Sequence, residues 1–317
     1  MKIVVLDGFA LNPGDLSWQN LKELGECVIF DRTKPEEVLE RAKGAQALIT
    51  NKVIINKALM DQLPLLKYIG VTATGYNVVD VHAASERNIV VTNIPAYSTN
   101  SVAQLVFSHI LNVVNRVELH ANSVRNGEWT KSPDFSYSKS PQVELAGKTL
   151  GIIGFGRIGS KVAEIGLALG MKIIFQNRSE KTDLPSGIIQ KSLSEVFAES
   201  DFVSLNCPLT AENGEFVNRD LLKTMKPTAV LINTGRGGLI NERDLANALN
   251  SGQITAACLD VLSTEPPLPD NPLVSVQNCF ITPHIAWATF EARQRLLNIT
   301  IDNLQSFITG NPQNMVK

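Results

Sequence analysis

Three glycines, Gly154, Gly156 and Gly159, stand between a short apolar run and a segment with helical spacing of apolar residues. A pyrophosphate group needs a tight turn, close approach of the backbone and the free N–H groups of a helix N-terminus, which glycines at this spacing supply. The spacing alone is weak evidence, because glycine clusters mostly serve turns. Here the apolar runs at 150–153 and 173–175 complete a βαβ unit of the expected size around it. The sequence therefore predicts a dinucleotide site at these glycines.

The residues after the second apolar run bear on which dinucleotide is bound. A site that prefers NAD usually places an Asp or Glu there to accept hydrogen bonds from the adenosine ribose hydroxyls. This chain has Asn177, followed by Arg178, Ser179 and Lys181. A neutral side chain beside two cations and a hydroxyl suits a 2′-phosphate better than a carboxylate does. The expected cofactor is NAD(P)H, with NADPH or dual use favoured; the alternative is that the two cations are ordinary solvated charges.

Three polar residues follow apolar runs later in the chain: Arg236 in Asn-Thr-Gly-Arg-Gly-Gly, Glu265 in Ser-Thr-Glu-Pro-Pro, and His284 in Thr-Pro-His-Ile-Ala. Hydride transfer to a 2-oxo acid needs a cation for the carboxylate, a proton donor for the developing alkoxide and a group that keeps the donor protonated. Arginine pairs bidentately with carboxylates, histidine titrates near neutrality, and a neighbouring carboxylate favours the imidazolium form. We predict these roles for Arg236, His284 and Glu265 respectively.

Each residue of this triple also has a structural alternative. A single arginine in a glycine-rich loop is about as often a surface charge as a ligand anchor, and a lone glutamate is similar. The other histidines, His82, His109 and His120, lie within helical patterns, where a solvated or buried structural role is expected. His284 instead follows an apolar run and a proline. Together with the glycine fingerprint, the triple favours catalysis.

Short apolar runs alternate with helical patterns from the first residue, which predicts an α/β architecture with mostly parallel sheets. We expect two doubly wound parallel-sheet domains. A Rossmann-type dinucleotide-binding domain at residues 101–285 is inserted into a flavodoxin-like substrate domain formed by 1–100 and 286–317. The predicted strands are 3–6, 27–30, 47–50, 68–71, 90–92, 150–153, 173–175, 202–205, 229–232, 256–259 and 279–281. The longest predicted helices are 101–126 and 289–309.

Composition limits the possible partners. The chain has 317 residues, 44% of them hydrophobic, which is enough for two cores. Its net charge of −2 is spread without a basic stripe, so neither nucleic acid nor a membrane surface is an expected partner. The start of the chain reads as a strand rather than a signal peptide, which predicts a cytoplasmic location. The widely spaced Cys27, Cys207, Cys258 and Cys279 predict buried thiols, and no metal site is expected.

Four segments resemble the D-isomer-specific 2-hydroxyacid dehydrogenase family: Gly-Phe-Gly-Arg-Ile-Gly, Asn-Thr-Gly-Arg-Gly-Gly, Leu-Asp-Val-Leu-Ser-Thr-Glu-Pro and Thr-Pro-His-Ile-Ala. The resemblance covers nearly the whole chain and implies a homodimer of two-domain subunits. It implies that Arg236 binds the substrate carboxylate, that His284 is the acid and base, and that Glu265 pairs with the histidine. Asp260 is expected near the nicotinamide carboxamide. The other dinucleotide contacts that it implies are Thr74, Arg157, Ile158, Asn177, Cys207 and Thr234.

Within the family, further segments such as Ala-Thr-Gly-Tyr-Asn-Val-Val-Asp and His-Ile-Ala-Trp-Ala-Thr are most similar to glycerate dehydrogenases, also called hydroxypyruvate reductases. This similarity implies that the loop backbone at Thr74, Gly75 and Tyr76 holds the carboxylate of a small 2-oxo acid. The resulting hypothesis is reversible reduction of hydroxypyruvate to D-glycerate, and of glyoxylate to glycolate. The alternatives are 3-phosphoglycerate dehydrogenase, another D-2-hydroxyacid dehydrogenase, and a dinucleotide-sensing binding module without turnover.

Overall fold

The structure is a computed structural model that describes residues 1–182 and 184–316. The chain divides into two compact units, one formed by Met1–Ser98 with Ala288–Lys317 and the other by Thr99–Trp287. The domain end predicted at residue 317 falls on Lys317, which lies outside the described residues.

Twelve strands and eleven α-helices are present in the described residues. In chain order the strands are β1 (Lys2–Val5), β2 (Glu26–Ile29), β3 (Ala47–Thr50), β4 (Tyr68–Val71), β5 (Val90–Thr92), β6 (Thr149–Ile153), β7 (Lys172–Gln176), β8 (Ile188–Gln190), β9 (Phe202–Leu205), β10 (Val230–Asn233), β11 (Ala256–Leu259) and β12 (Cys279–Ile281). The helices are α1 (Gln19–Lys22), α2 (Val38–Ala42), α3 (Lys57–Met60), α4 (Val81–Glu86), α5 (Thr99–Asn115), α6 (Val117–Arg125), α7 (Arg157–Ala168), α8 (Leu193–Glu199), α9 (Arg219–Leu222), α10 (Glu242–Asn250) and α11 (Phe290–Ile308).

The first unit contains a five-stranded sheet in the order β2-β1-β3-β4-β5, with every pair parallel. This is the flavodoxin-like order. All residues of β3 and β4 are buried, as parallel strands covered on both faces require. Helix α11 belongs to this unit and packs on β4, where the rings of Tyr68 and Phe307 lie 5.0 Å apart between centroids.

The second unit contains a seven-stranded sheet in the order β12-β11-β10-β9-β6-β7-β8, again wholly parallel. The chain enters at the centre with β6, builds one side through β7 and β8, and then crosses to β9. This reversal is the Rossmann order, and its switch point lies between β6 and β9. Helix α5 packs against α7 and β10, and it contributes Val106, Phe107 and Ile110 to the core. The predicted fold class is confirmed.

One local prediction is wrong, and one strand was not predicted. The single long helix predicted at 101–126 is broken into α5 and α6 at Arg116, whose φ of +47° is left-handed and cannot continue a right-handed helix. Strand β8 was not predicted, because it has only three residues and its central Ile189 is exposed, so neither length nor alternation marks it. Among the described helices, none is long and apolar enough to cross a membrane.

Candidate active site

The predicted glycine fingerprint forms the turn between β6 and the N-terminus of α7. Gly154 has a φ of +93°, and a Cβ atom on it would lie 2.7 Å from the backbone nitrogen of Cys207. A Cβ on Gly159 would lie 2.2 Å from the carbonyl oxygen of Gly154. A Cβ on Gly156 would meet no described atom within 4 Å. Two glycines therefore permit close backbone packing, whereas the third leaves space where the helix N–H groups begin, as a pyrophosphate needs.

Two buried oxygens at the same sheet edge have no hydrogen-bond partner among the described residues. They are Asn206 Oδ1, directly after β9, and Thr234 Oγ1, directly after β10. Buried polar atoms are normally paired, so unpaired ones beside an open glycine turn fit a site that a polar ligand completes. The residues present thus fit a dinucleotide. Asn206 was missed by sequence reasoning, although its place at the end of an apolar run was a usable signal.

The turn after β7 carries the residues predicted to select the dinucleotide. Asn177 Oδ1 accepts a hydrogen bond from the Phe155 backbone (3.3 Å), and its Nδ2 donates to the carbonyl of Ser179 (3.1 Å). Gln190, on the unpredicted strand β8, donates to the same Ser179 carbonyl (3.2 Å) and accepts from the Lys181 backbone (3.0 Å). The turn is therefore held from both ends. The side chain of Arg178 is exposed.

His284 and Glu265 are brought together as predicted from their types. His284 Nδ1 lies 2.5 Å from Glu265 Oε2, and Glu265 Oε1 accepts a hydrogen bond from the Leu262 backbone (3.0 Å). Each side chain is about one-third exposed, at 33% and 35%. Because the carboxylate engages Nδ1, the other ring nitrogen, Nε2, is the atom available for proton exchange with a substrate. The arrangement suits an acid whose ring orientation is fixed by its partner.

Arg236 lies in the loop after β10, and its side chain is exposed. The buried Asn233 shapes this loop: its Nδ2 donates to the Arg236 carbonyl (2.9 Å), and its Oδ1 accepts from the Gly235 backbone (3.0 Å). A Cβ on Gly237 would lie 1.9 Å from the carbonyl carbon of Leu262. This close approach packs the arginine loop against the loop that carries Glu265.

The remaining predicted contacts of the second unit lie at or near the ends of its strands. Arg157 and Ile158 begin α7, Cys207 follows β9, and Asp260 follows β11 and is only 1% exposed. Burial raises the pKa of the Cys207 thiol. Within the described residues, no group of three or more His, Cys, Asp or Glu side chains is placed to hold a metal ion.

Thr74, Gly75 and Tyr76 lie in the first unit, in the loop after β4. Thr74 Oγ1 donates to the carbonyl of Ile94 (2.9 Å), and Asn93 Nδ2 donates to the carbonyl of Thr74 (2.7 Å). These bonds tie the loop to the segment after β5 and fix its backbone.

Comparison with known proteins assigns this chain to a family. Residues 107–286 match the model of the D-isomer specific 2-hydroxyacid dehydrogenase NAD-binding domain. A hydroxypyruvate reductase of Blautia hydrogenotrophica is 45% identical, and the alignment covers 100% of this chain and 99% of that protein. The chain belongs to the D-isomer specific 2-hydroxyacid dehydrogenase family.

Two solved structures of dehydrogenase-like reductases extend the comparison. An NADPH-dependent glyoxylate/hydroxypyruvate reductase from Sinorhizobium meliloti, in complex with NADP and malonate, has a TM-score of 0.82 and 30% identity, covering 99% of this chain and 96% of the other. An acyclic imino acid reductase in complex with NADPH and D-Arg has a TM-score of 0.86 and 33% identity, covering both chains fully. The dehydrogenase fold thus serves reductases of different substrates, so the family alone does not specify the substrate.

The two glycines of the turn predict contrasting effects of alanine. Gly156→Ala has room within the protein and a φ of −91°, so we expect unchanged thermal stability but about tenfold or greater loss of dinucleotide affinity, because the methyl group occupies the phosphate space. Gly159→Ala forces backbone atoms apart and is expected to lower the unfolding midpoint as well. Calorimetry and fluorescence titration with NADPH measure the two effects. Gly214→Ala, at an open exposed glycine of the same unit, is the control; equal effects of all three changes would contradict the assignment.

Proposed function

We propose that this dehydrogenase reduces hydroxypyruvate to D-glycerate, and glyoxylate to glycolate, by reversible hydride transfer. The observation that carries the proposal is the 2.5 Å contact between His284 and Glu265, together with the packing of the Glu265 loop against that of Arg236. These residue types match the needs of a 2-oxo acid: a cation for its carboxylate and an oriented acid for its keto oxygen. The similarity to a hydroxypyruvate reductase over the full chain supports the choice of substrate.

The chemistry divides among the side chains as follows. The dinucleotide, when bound at the glycine turn, supplies the hydride. Arg236 pairs with the substrate carboxylate through its planar fork of N–H donors, and the backbone N–H groups of Thr74, Gly75 and Tyr76 are further proposed donors to that carboxylate. His284 Nε2 donates a proton to the keto oxygen as negative charge develops there. Glu265 stabilises the imidazolium form that donates this proton, and in the reverse direction neutral Nε2 accepts the hydroxyl proton.

For the cofactor we propose NADPH, with NADH as a second donor. The 2′-phosphate is expected beside Asn177, Arg178 and Ser179, with Lys181 as a second cation. The proposal is supported by the neutral amide where a carboxylate would repel the phosphate, and by the bonds from Gln190 that hold this turn in place. The enzyme is also proposed to use NADH, because Asn177 can accept a hydrogen bond from a ribose hydroxyl of that dinucleotide.

We propose a homodimer as the working form. Val124, Trp129 and Phe135 line one surface hollow beyond α6, and Phe135 is 91% exposed. Contiguous exposed apolar side chains of this kind mark interaction sites, and light scattering of the intact chain measures the state directly. We also propose a cytoplasmic location, because the reaction draws on a pool of reduced dinucleotide that the cytoplasm supplies.

The alternative substrate 3-phosphohydroxypyruvate carries a phosphate that needs additional cations. The loops after β3, β4 and β5, at residues 51–53, 72–77 and 93–98, contain one cation, Lys52. One lysine favours a substrate without a phosphate. A sensing module that binds dinucleotide without turnover is disfavoured by the intact acid pair, since such a module has no need of an oriented proton donor.

Initial rates test the proposed function. We expect hydroxypyruvate to be reduced fastest, ahead of glyoxylate, pyruvate and 3-phosphohydroxypyruvate, with a larger kcat/KM for NADPH than for NADH. Parallel assays with ammonium test reduction of the corresponding imines. Tight dinucleotide binding without turnover of any of these compounds would replace the proposal by the sensing module, and preference for the phosphorylated acid would replace the substrate.

Replacing the proposed acid and the proposed carboxylate ligand should affect different constants. We expect His284→Gln to lower kcat by about 10²- to 10⁴-fold with the dinucleotide still bound, because the proton donor is lost. Arg236→Ala should chiefly raise the KM for hydroxypyruvate. Steady-state kinetics separate the two, with Arg243→Ala, at an exposed arginine of α10, as the control. Near-normal turnover by His284→Gln would disprove its role as the acid.

The turn after β7 predicts a change of cofactor preference. Asn177→Asp places a carboxylate where the 2′-phosphate is proposed and where the ribose hydroxyls of NADH need an acceptor. We expect the ratio of kcat/KM for NADPH to that for NADH to fall about tenfold or more, equivalent to about 1.4 kcal/mol. The same rate assay with both coenzymes measures it. An unchanged ratio would mean that the phosphate does not lie beside Asn177.

A further inference from the structure

A buried histidine that has no part in the proposed chemistry lies near the loop at residues 282–287, which carries the proposed acid His284 and is called the acid loop below. His109, in the middle of α5, is 5% exposed, and its Nε2 is 3.3 Å from the hydroxyl of Thr282, which directly follows β12. Burial lowers the pKa of His109, and the charge of Asp260 opposes this shift in part. Burial therefore favours the neutral imidazole, in which one ring nitrogen carries a proton.

The hydroxyl of Thr282 determines which group is the donor in its hydrogen bond with His109. Its Oγ1 donates to Asp260 Oδ1 over 2.6 Å, and a hydroxyl has a single hydrogen to donate. The contact with His109 must then use Nε2–H as the donor and the Thr282 oxygen as the acceptor. The three side chains form a chain of donation that runs from His109 through Thr282 to Asp260.

Asp260 in turn fixes the backbone around the acid. Its Oδ1 also accepts from the Ile285 backbone (2.8 Å), its Oδ2 accepts from the Ala286 backbone (2.8 Å), and its main-chain carbonyl accepts from the His284 backbone (2.9 Å). His284 itself has a φ of +54°, which non-glycine residues adopt rarely and keep only where the surroundings hold them. Every bond in this set brings a donor to Asp260, so its buried carboxylate is compensated from several sides.

Helix α5 reaches this loop at a second point. Ser101, near its N-terminus, donates from Oγ to the carbonyl of Ala286 over 2.5 Å. Ser101 and His109 are both buried on the helix. Helix α5 therefore contacts the backbone of the acid loop directly through Ser101 and indirectly through His109, by way of Thr282 and Asp260.

We propose that His109 and Thr282 are positioning residues for the general acid: they hold the Asp260 carboxylate, and Asp260 holds the His284 backbone in its left-handed conformation. The inference rests on the proposed function, in which His284 donates the proton. It assigns Asp260 a task besides the expected contact with the nicotinamide carboxamide, since its oxygens already accept three bonds from its own chain. Loss of the chain displaces the acid, whereas the proposed contacts of the dinucleotide at the glycine turn and of the substrate carboxylate at Arg236 stay in place.

A pair of substitutions at Thr282 tests the central link. Thr282→Val removes the hydroxyl at nearly constant shape, and Thr282→Ser retains it. We expect Thr282→Val to lower kcat for hydroxypyruvate about 10- to 100-fold, with KM for NADPH and for the substrate within about twofold, because a misplacement of the order of 1 Å costs this much. Thr282→Ser should stay within about threefold of the wild type. Equal kcat for Val and wild type, or a parallel rise in the KM for NADPH, overturns the proposal.

The histidine is tested by a matched pair and a double variant. His109→Gln keeps an N–H donor near Thr282, whereas His109→Met removes it. We expect Met to lower kcat as Thr282→Val does, Gln to retain most of it, and the double variant H109M/T282V to be no worse than T282V alone, because both act through Asp260. Multiplying losses would show that His109 acts separately and would overturn the chain. His82→Gln, at an exposed histidine of α4, is the control.

Nuclear magnetic resonance of the histidine rings gives a readout without turnover, since the chain has only four histidines. We expect the His284 ring signals, assigned with His284→Gln, to shift in Thr282→Val and His109→Met but not in Thr282→Ser or His82→Gln. If the wild type fails to reduce hydroxypyruvate, the proposed function is wrong, and these shifts still decide whether the chain positions His284. If the wild type is active, unmoved signals and normal kcat in Thr282→Val reject this inference alone.

Discussion

All seven strands of the second unit run in one direction, and this single constraint decides which residues can meet. In a parallel sheet the carboxyl ends of all strands lie at the same edge, so the residues that follow the strands lie side by side along that edge. Successive strands deliver the glycine turn, Asn177, Asn206, Thr234 with Arg236, Asp260, and Thr282 with His284. Gly154 and Cys207, which are about fifty positions apart, become neighbours in this way, so a short motif after each strand suffices to build the candidate site.

The residues at this edge fall into two groups by how their polar atoms are satisfied. Asn233 and Asp260 are buried, and their side chains form hydrogen bonds with the backbone of the loops that follow. These bonds fix the conformation of the two loops. Asn206 Oδ1 and Thr234 Oγ1 are buried yet have no partner among the described residues. Burying a polar atom unpaired costs about 1–3 kcal/mol, so such atoms are retained where a ligand meets them. Asn233 and Asp260 therefore shape the loops of the candidate site, whereas Asn206 and Thr234 have polar atoms that a ligand can bond.

Every strand except β8 was predictable because buried parallel strands appear as continuous apolar runs, and the residues proposed to carry the chemistry follow these runs. The pairing of His284 with Glu265 followed from residue type and a family resemblance. The break at Arg116 was not predictable because arginine does not mark a left-handed turn as glycine does, and β8 was not because it has three residues with an exposed centre. His109 was expected to be structural because it lies on a helix; its contact with Thr282 spans 173 residues, and no local spacing indicates it.

The division of labour around His284 has a physical reason. Glu265 engages the ring at Nδ1 and leaves Nε2 to face a substrate, and its other oxygen binds the backbone of its own loop at Leu262 rather than that of His284. Asp260 does the opposite: it is buried, it binds main-chain N–H groups and it does not need to change its bonds when the ring exchanges a proton. In the proposed reaction, Glu265 can follow the protonation of His284 while Asp260 keeps the position of the His284 backbone constant. Because the two tasks fall to different carboxylates, a change in the bond between Glu265 and the ring leaves the three bonds that Asp260 accepts unchanged.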